Sequence, residues 1–202
     1  FLYDRPWALV PETLFALRRL ETDAVGLRSL ADAAERSRAQ KSSGTPAAVA
    51  VLPLHGLILQ RAGWYGTSVE AFTQEFRRAV ADPQVGAIVI DIDSGGGEVF
   101  GVPELADEIL SARGQKKIVA SVNAFAGSAA YWIASAASEI TITPSGMAGS
   151  IGIYALHVDW SKALANEGIK PTFVSAGKFK VEGNPFEPLG EEAHAAIQDD
   201  VN

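Results

Sequence analysis

Past residue 46, short apolar runs rich in Val and Ile alternate with stretches of helical periodicity, and this rhythm restricts the chain to an α/β fold. Strands are expected at 48–54, 86–92, 117–122, 139–143, 151–158 and 171–175, and helices near 69–81, 102–113, 128–137, 160–167 and 191–200. Alternation of this kind builds βαβ units with right-handed crossovers and a mostly parallel sheet. In such sheets the working loops lie at the C-terminal ends of strands. Two stretches stand there: Gly95, Gly96 and Gly97 after the run from Gly86 to Ile92, and Ala124 to Gly127 after the run that ends at Val122. Both can converge on one crevice.

The second stretch leads into Gly127-Ser128-Ala129-Ala130, a serine among small residues at the head of an apolar helix. A hydroxyl is a poor nucleophile at neutral pH, so a catalytic serine requires a base within hydrogen-bond reach, and a lysine serves if burial lowers its pKa. Lys178 and Lys180 follow in a glycine-led loop, Gly177-Lys178-Phe179-Lys180. Two residues apart on extended chain they project to the same side, and spacing alone leaves both open. Small neighbours leave room for a substrate backbone beside Ser128, and a helix starting there directs N–H groups toward a developing oxyanion. Read more plainly, the serine is an N-cap followed by good helix formers, and each lysine is a surface charge. The glycine run favours the chemical reading, because a strand followed by three glycines exposes backbone N–H groups. It lacks the Gly-Lys-Ser/Thr ending of a phosphate loop and the spacing of a dinucleotide fingerprint.

The ordered series Ser94-Gly95-Gly96-Gly97, Gly127-Ser128-Ala129-Ala130-Tyr131, Gly149-Ser150-Ile151-Gly152 and Gly177-Lys178-Phe179-Lys180 resembles the serine peptidases typified by signal peptide peptidase A, which share the Clp protease/crotonase fold. The resemblance runs from about Val49 to the C-terminus. It implies a Ser/Lys dyad in an endopeptidase that works through an acyl-enzyme, with Ser128 as nucleophile and Lys180, 52 residues on, as general base. Lys178 then reads as a solvated neighbour that touches substrate backbone or an acidic partner. The oxyanion hole is implied to be the N–H groups of Gly97 and Ala129, with Gly96 as the alternative. This chain has Gly95 where the family has proline, so the register among the three glycines is not pinned. Ser150 matches a family serine expected to hydrogen-bond the lysine amine and orient it; turn chemistry after Pro144-Ser145-Gly146 is its simpler role. No metal or cofactor is implied.

Clp proteases use Ser-His-Asp, so the histidines bear on the choice of base. Of His55, His157 and His194, only His157 competes, 29 residues after Ser128 with Asp159 two residues on. An orienting acid normally arrives from elsewhere in the chain, which favours a structural histidine. Short relatives with an N-terminal segment resembling Pro6-Trp7-Ala8 are bacteriophage or prophage head proteases, which trim scaffold and capsid proteins. That resemblance implies protein or peptide substrates such as capsid, scaffold or portal proteins, a homo-oligomer that hides its sites, and a location in the bacterial host cytoplasm or the phage prohead. Other readings are a cellular peptidase that degrades signal or membrane peptides and lacks its anchor, and an assembly protein with a silent site. A crotonase-type hydratase or isomerase shares the fold but gives no reason for a Ser128/Lys180 pair.

Composition narrows the partners. The 202 residues are 48% hydrophobic, enough for one substantial core, and no cysteine is available for disulfides, thiol chemistry or a cysteine metal site. The net charge of −7 comes without a dense basic stripe, which argues against nucleic-acid binding. No apolar run approaches the ~18 residues of a membrane span, and the N-terminus lacks the basic-then-apolar order of a signal peptide, so neither an anchor nor a leader is expected in this chain. Residues 1–46 are expected to form a helical arm and linker: Leu14, Leu17, Leu20, Val25, Leu27 and Leu30 recur at near-helical spacing, and Lys41 to Pro46 reads as the linker. Its apolar stripe should dock on the body or on another subunit. Residues 47–202 form the expected catalytic α/β domain, and Glu191 to Asn202 reads as a helix cut in mid-course.

Overall fold

A computed structural model describes residues 7–9, 48–62 and 65–202. The helical arm expected over 11–40 and the linker after it lie outside the described residues. The described residues divide into two compact bodies, one ending at Gly152 and the other containing Ile153–Asn202.

The sheet consists of β1 (Trp7–Leu9), β2 (Ala48–Leu59), β3 (Thr67–Ser68), β4 (Val85–Glu98), β5 (Lys117–Gly127), β6 (Glu139–Ile142) and β7 (Met147–Gly149). Its order is β3-β2-β4-β5-β6, with β1 beside β4 and β7 beside β5. The pairings of β2, β3, β4, β5, β6 and β7 are parallel, as the alternation predicts. Strand periodicity sets the core. Leu52 and Leu54 of β2, Ile88, Ile90 and Ile92 of β4, and Ile118, Ala120 and Val122 of β5 are buried at alternate positions.

Helices α1 (Val69–Ala81), α2 (Val102–Ala112) and α3 (Ala129–Ser135) complete this core. In α1 the buried residues Val69, Phe72, Phe76 and Ala79 form one stripe, and the Ser68 hydroxyl accepts the Ala71 N–H to start the helix. Burying an isoleucine or phenylalanine of this set contributes about 1.5–3 kcal/mol. Helix α2 packs against both α1 and α3. Arg113, just past α2, donates from Nε to the Ala136 carbonyl at 2.7 Å and from Nη2 to the Ser135 carbonyl at 2.8 Å, so a cation satisfies the end of α3.

Three expectations change. The glycine run is not a turn leading out of β4 but the continuation of that strand, which pairs with β2 as far as Gly97 opposite Ile58. The strands expected at 151–158 and 171–175 do not form; Tyr154 alone makes an isolated bridge. A strand needs a ladder partner, and neither segment finds a continuous one among the described residues. Their apolar residues stay uncovered, Ile151 at 85% exposure and Val174 at 98%.

In the smaller body, α4 (Ser161–Asn166) and α5 (Glu191–Val201) flank a looped segment. The rings of Phe173 and Phe186 lie 5.9 Å apart, the Trp160 N–H donates to the Pro185 carbonyl at 2.8 Å, and Ala193 is the buried residue of α5.

Candidate active site

Parallel pairing brings three motif ends side by side. Ser94 of β4 is opposite Ala126 of β5, and Gly127 of β5 is opposite Gly149 of β7. Neighbouring strands lie about 4.8 Å apart, so the glycine run, Ser128 and Ser150 occupy adjacent positions where three strands end. Both stretches expected as loops, 95–97 and 124–127, are thus strand, and the strands that carry them are neighbours in the sheet.

Ser128 joins β5 to α3 with φ 52° and ψ −115°, a conformation that is costly for a residue with a Cβ. Its N–H donates to the Gly149 carbonyl at 2.7 Å, and its carbonyl accepts the Trp132 N–H at 2.9 Å. The plain N-cap reading does not hold, because the hydroxyl makes no capping bond to α3. Instead Oγ donates to the Gly152 carbonyl at 3.3 Å, in a site where Ser128 is 6% exposed. A serine on a strained strand-to-helix corner, relieved of helix duty, has the geometry that presents a nucleophile. Ser150, next to it across β5 and β7, also has a positive φ of 56°. These two are the non-glycine residues with positive φ among the described residues.

Ala129 is the first residue of α3 and fully buried. Gly96 has a φ of 95°. Gly97 has a different constraint: a Cβ there would stand 1.8 Å from the Ile58 carbonyl oxygen, so β2 and β4 approach at a distance that only glycine permits. The glycines therefore leave bare backbone at the end of β4.

Both lysines belong to the smaller body. Lys178 forms an ion pair with Glu192 at 2.8 Å and lies 4.5 Å over the Phe179 ring, which matches its reading as a solvated neighbour of an acidic group. Lys180 is exposed in a turn in which its N–H donates to the Gly177 carbonyl at 3.3 Å. His157 binds the Asn184 carbonyl through Nε2 at 3.0 Å. Asp159 does not orient it. Its carboxylate accepts the Ser161 N–H at 2.8 Å, and hydrogen bonds from Ser161 hold its pKa below the ordinary value. His55 faces Asp91 at 3.2 Å, and His194 lies on α5. Ser94 and Arg113 went unassigned at the level of sequence. Ser94 stands in the first motif, and a serine two residues before a glycine is a recognisable side-chain-to-backbone turn signal.

Residues 111–202, which include Ser128, Ser150 and both lysines, match Peptidase family S49. Head-tail preconnector protein GP5 of Enterobacteria phage P21 is 36% identical over 159 residues, covering 76% of this chain and 32% of that protein. Capsid assembly protease C of Escherichia phage lambda is 33% identical over 155 residues, covering 74% of this chain and 35% of that protein. Protease 4 of Salmonella typhi is 35% identical over 102 residues, covering 50% of this chain and 16% of that protein. The chain spans about a third of the length of these two phage relatives. The match to Peptidase family S49 is thus confined to residues 111–202, while the similarity to the two phage proteins extends over about three quarters of this chain.

Proposed function

We propose that the chain is the catalytic portion of a serine endopeptidase with a Ser128/Lys180 dyad, acting on proteins of a phage capsid during assembly. The observation that carries this reading is the strained corner at Ser128, whose hydroxyl is buried but unused by α3, inside the stretch that matches the peptidase family. In the proposed reaction Oγ of Ser128 attacks the scissile carbonyl while Nζ of Lys180 takes its proton. The resulting oxyanion receives the N–H groups of Gly97 and Ala129, or of Gly96 in the alternative register. Collapse expels the amine, which receives the proton from the lysine. Water, activated by the same lysine, then hydrolyses the ester and frees Ser128. Ser150 orients the lysine amine.

Similarity to two phage proteins with roles in head assembly supports capsid, scaffold or portal proteins as substrates and the prohead or host cytoplasm as the place of action. A homo-oligomer that encloses its sites suits a peptidase that must spare folded neighbours. Among the described residues no helix is long and apolar enough to cross a membrane. Similarity to Protease 4 of a bacterium supports a second reading, a cellular peptidase, for which the motif resemblance implies signal or membrane peptides as substrates. Fragment mapping separates the two: candidate capsid proteins and signal peptides are incubated with the wild type, Ser128→Ala, Lys180→Ala and Lys178→Ala. The Ser128 and Lys180 variants should lose ~10³-fold or more of the cleavage rate, and Lys178→Ala should keep most of it. Cleavage retained by Ser128→Ala would remove the dyad, and a dead Lys178→Ala would move the base by two residues.

A further inference from the structure

We infer that Ser94 is a positioning residue for the oxyanion donor at Gly97, an assignment that rests on the peptidase reading above. Ser94 is 2% exposed, and its hydroxyl is fully engaged. It donates to the Gly56 carbonyl at 2.6 Å and accepts the Gly96 N–H at 3.1 Å. Gly56 lies where the β2–β4 ladder breaks, and Gly96 is where its pairing resumes. The register of β2 against β4 shifts between His55 and Leu57, which leaves out Gly56, and the register of β4 against β5 shifts between Ile92 and Ser94. At such bulges backbone groups lose their ladder partners, and a buried one must find another. The Ser94 hydroxyl serves the Gly56 carbonyl left out by the β2–β4 shift and holds the N–H of Gly96, the first β4 residue paired after it.

Past that point β4 resumes pairing with Gly96 opposite Leu57 and Gly97 opposite Ile58. Ser94 therefore fixes where the second register begins, and with it the orientation of the peptide planes at Gly96 and Gly97. On the β2 side Gly97 is already in contact with the Ile58 carbonyl, so the bond through Gly96 is what restrains the run from within its own strand. The same residue stands opposite Ala126, two residues before Ser128. One hydroxyl thus ties the donor strand into the register shared with the nucleophile strand. Because a displacement of about 1 Å at a reacting centre costs on the order of 10²-fold in rate, the effect should fall on turnover rather than on binding.

The test compares Ser94→Ala, Ser94→Thr and a core control, Phe76→Leu, in the assembled protein, by peptide-cleavage kinetics, fluorophosphonate labelling of Ser128 and hydrogen exchange of residues 95–98. Ser94→Ala should lower kcat by ~10²-fold with KM within about twofold, and should speed exchange at 95–98 but not at 88–92. Ser94→Thr keeps the hydroxyl and should recover most of kcat. A Ser94→Ala protein too unstable to assay is replaced by Ser94→Cys, whose weaker donor should shift kcat and exchange in the same direction. Unchanged kcat and exchange, or a kcat loss no larger than that of Phe76→Leu at equal melting temperature, would overturn the assignment. A wild type that neither cleaves nor labels would overturn the peptidase reading, and faster exchange in Ser94→Ala would still establish the hydroxyl as the restraint on the glycine run.

Discussion

Ser128 holds a backbone conformation that glycine adopts more readily than any residue with a Cβ, yet the position carries a hydroxymethyl group. Such strain costs on the order of 1–3 kcal/mol and persists where function requires it. Its size can be separated from the loss of the hydroxyl, because Ser128→Ala and Ser128→Gly both remove the oxygen while only Ser128→Gly removes the Cβ. Ser128→Gly should be more stable than Ser128→Ala by roughly 1 kcal/mol in urea unfolding, against the usual entropic advantage of alanine. Equal stability, or a more stable alanine variant, would show that the corner is unstrained. The sequence marks this serine through its small neighbours and the motif around it. It does not reveal the strain, which arises only when Gly127 pairs with Gly149 and turns the chain at the next residue.

Elements whose signals are local were legible. Helix α1 appears over the expected 69–81 because its stripe, its Ser68 cap and the Asp82-Pro83 stop all lie within one short window. The glycine run reads as a loop after its strand in the sequence, because its conformation depends on β2, dozens of residues earlier in the chain. The segments 151–158 and 171–175 have strand composition but no partner, and composition cannot supply one. Helices α1 and α2 are also joined by Arg77 and Glu108, with Nε donating to Oε2 at 2.8 Å and Nη2 to Oε1. The hydrogen bonds from Arg77 hold the Glu108 carboxyl below its ordinary value of 4.5, while partial burial opposes them. A carboxylate with a depressed folded-state pKa stabilises the fold above its unfolded value, and that contribution fades as pH falls through the folded value. Glu108→Gln should therefore lower the melting temperature at pH 6 to 7, and that deficit should shrink as pH falls below the ordinary carboxyl value of 4.5. A deficit that stays constant across this range would mean that the pair contributes through packing rather than charge.

At the scale of the whole molecule, the serine corner and the glycine run are built within one body by strand pairing alone, whereas the lysine loop is part of the other. The pairing that sets the strand of the glycine run beside the strand leading to Ser128 follows from motifs on neighbouring strands and was readable in the sequence. Lysine placement was not, since Lys178 and Lys180 share one loop and one chemistry, and it is the ion pair with Glu192 and the Phe179 ring beneath it that distinguish Lys178. The two phage relatives are about three times longer than the stretch matched here. The central claim is narrower: Ser128 is the nucleophile. Treatment with a fluorophosphonate, digestion and mass spectrometry of the peptide spanning residues 118–162 test it most directly. The account predicts a single adduct that fragmentation assigns to Ser128, with none in Ser128→Ala. An adduct on Ser121, Ser135 or Ser150, or labelling that survives in Ser128→Ala, would contradict it.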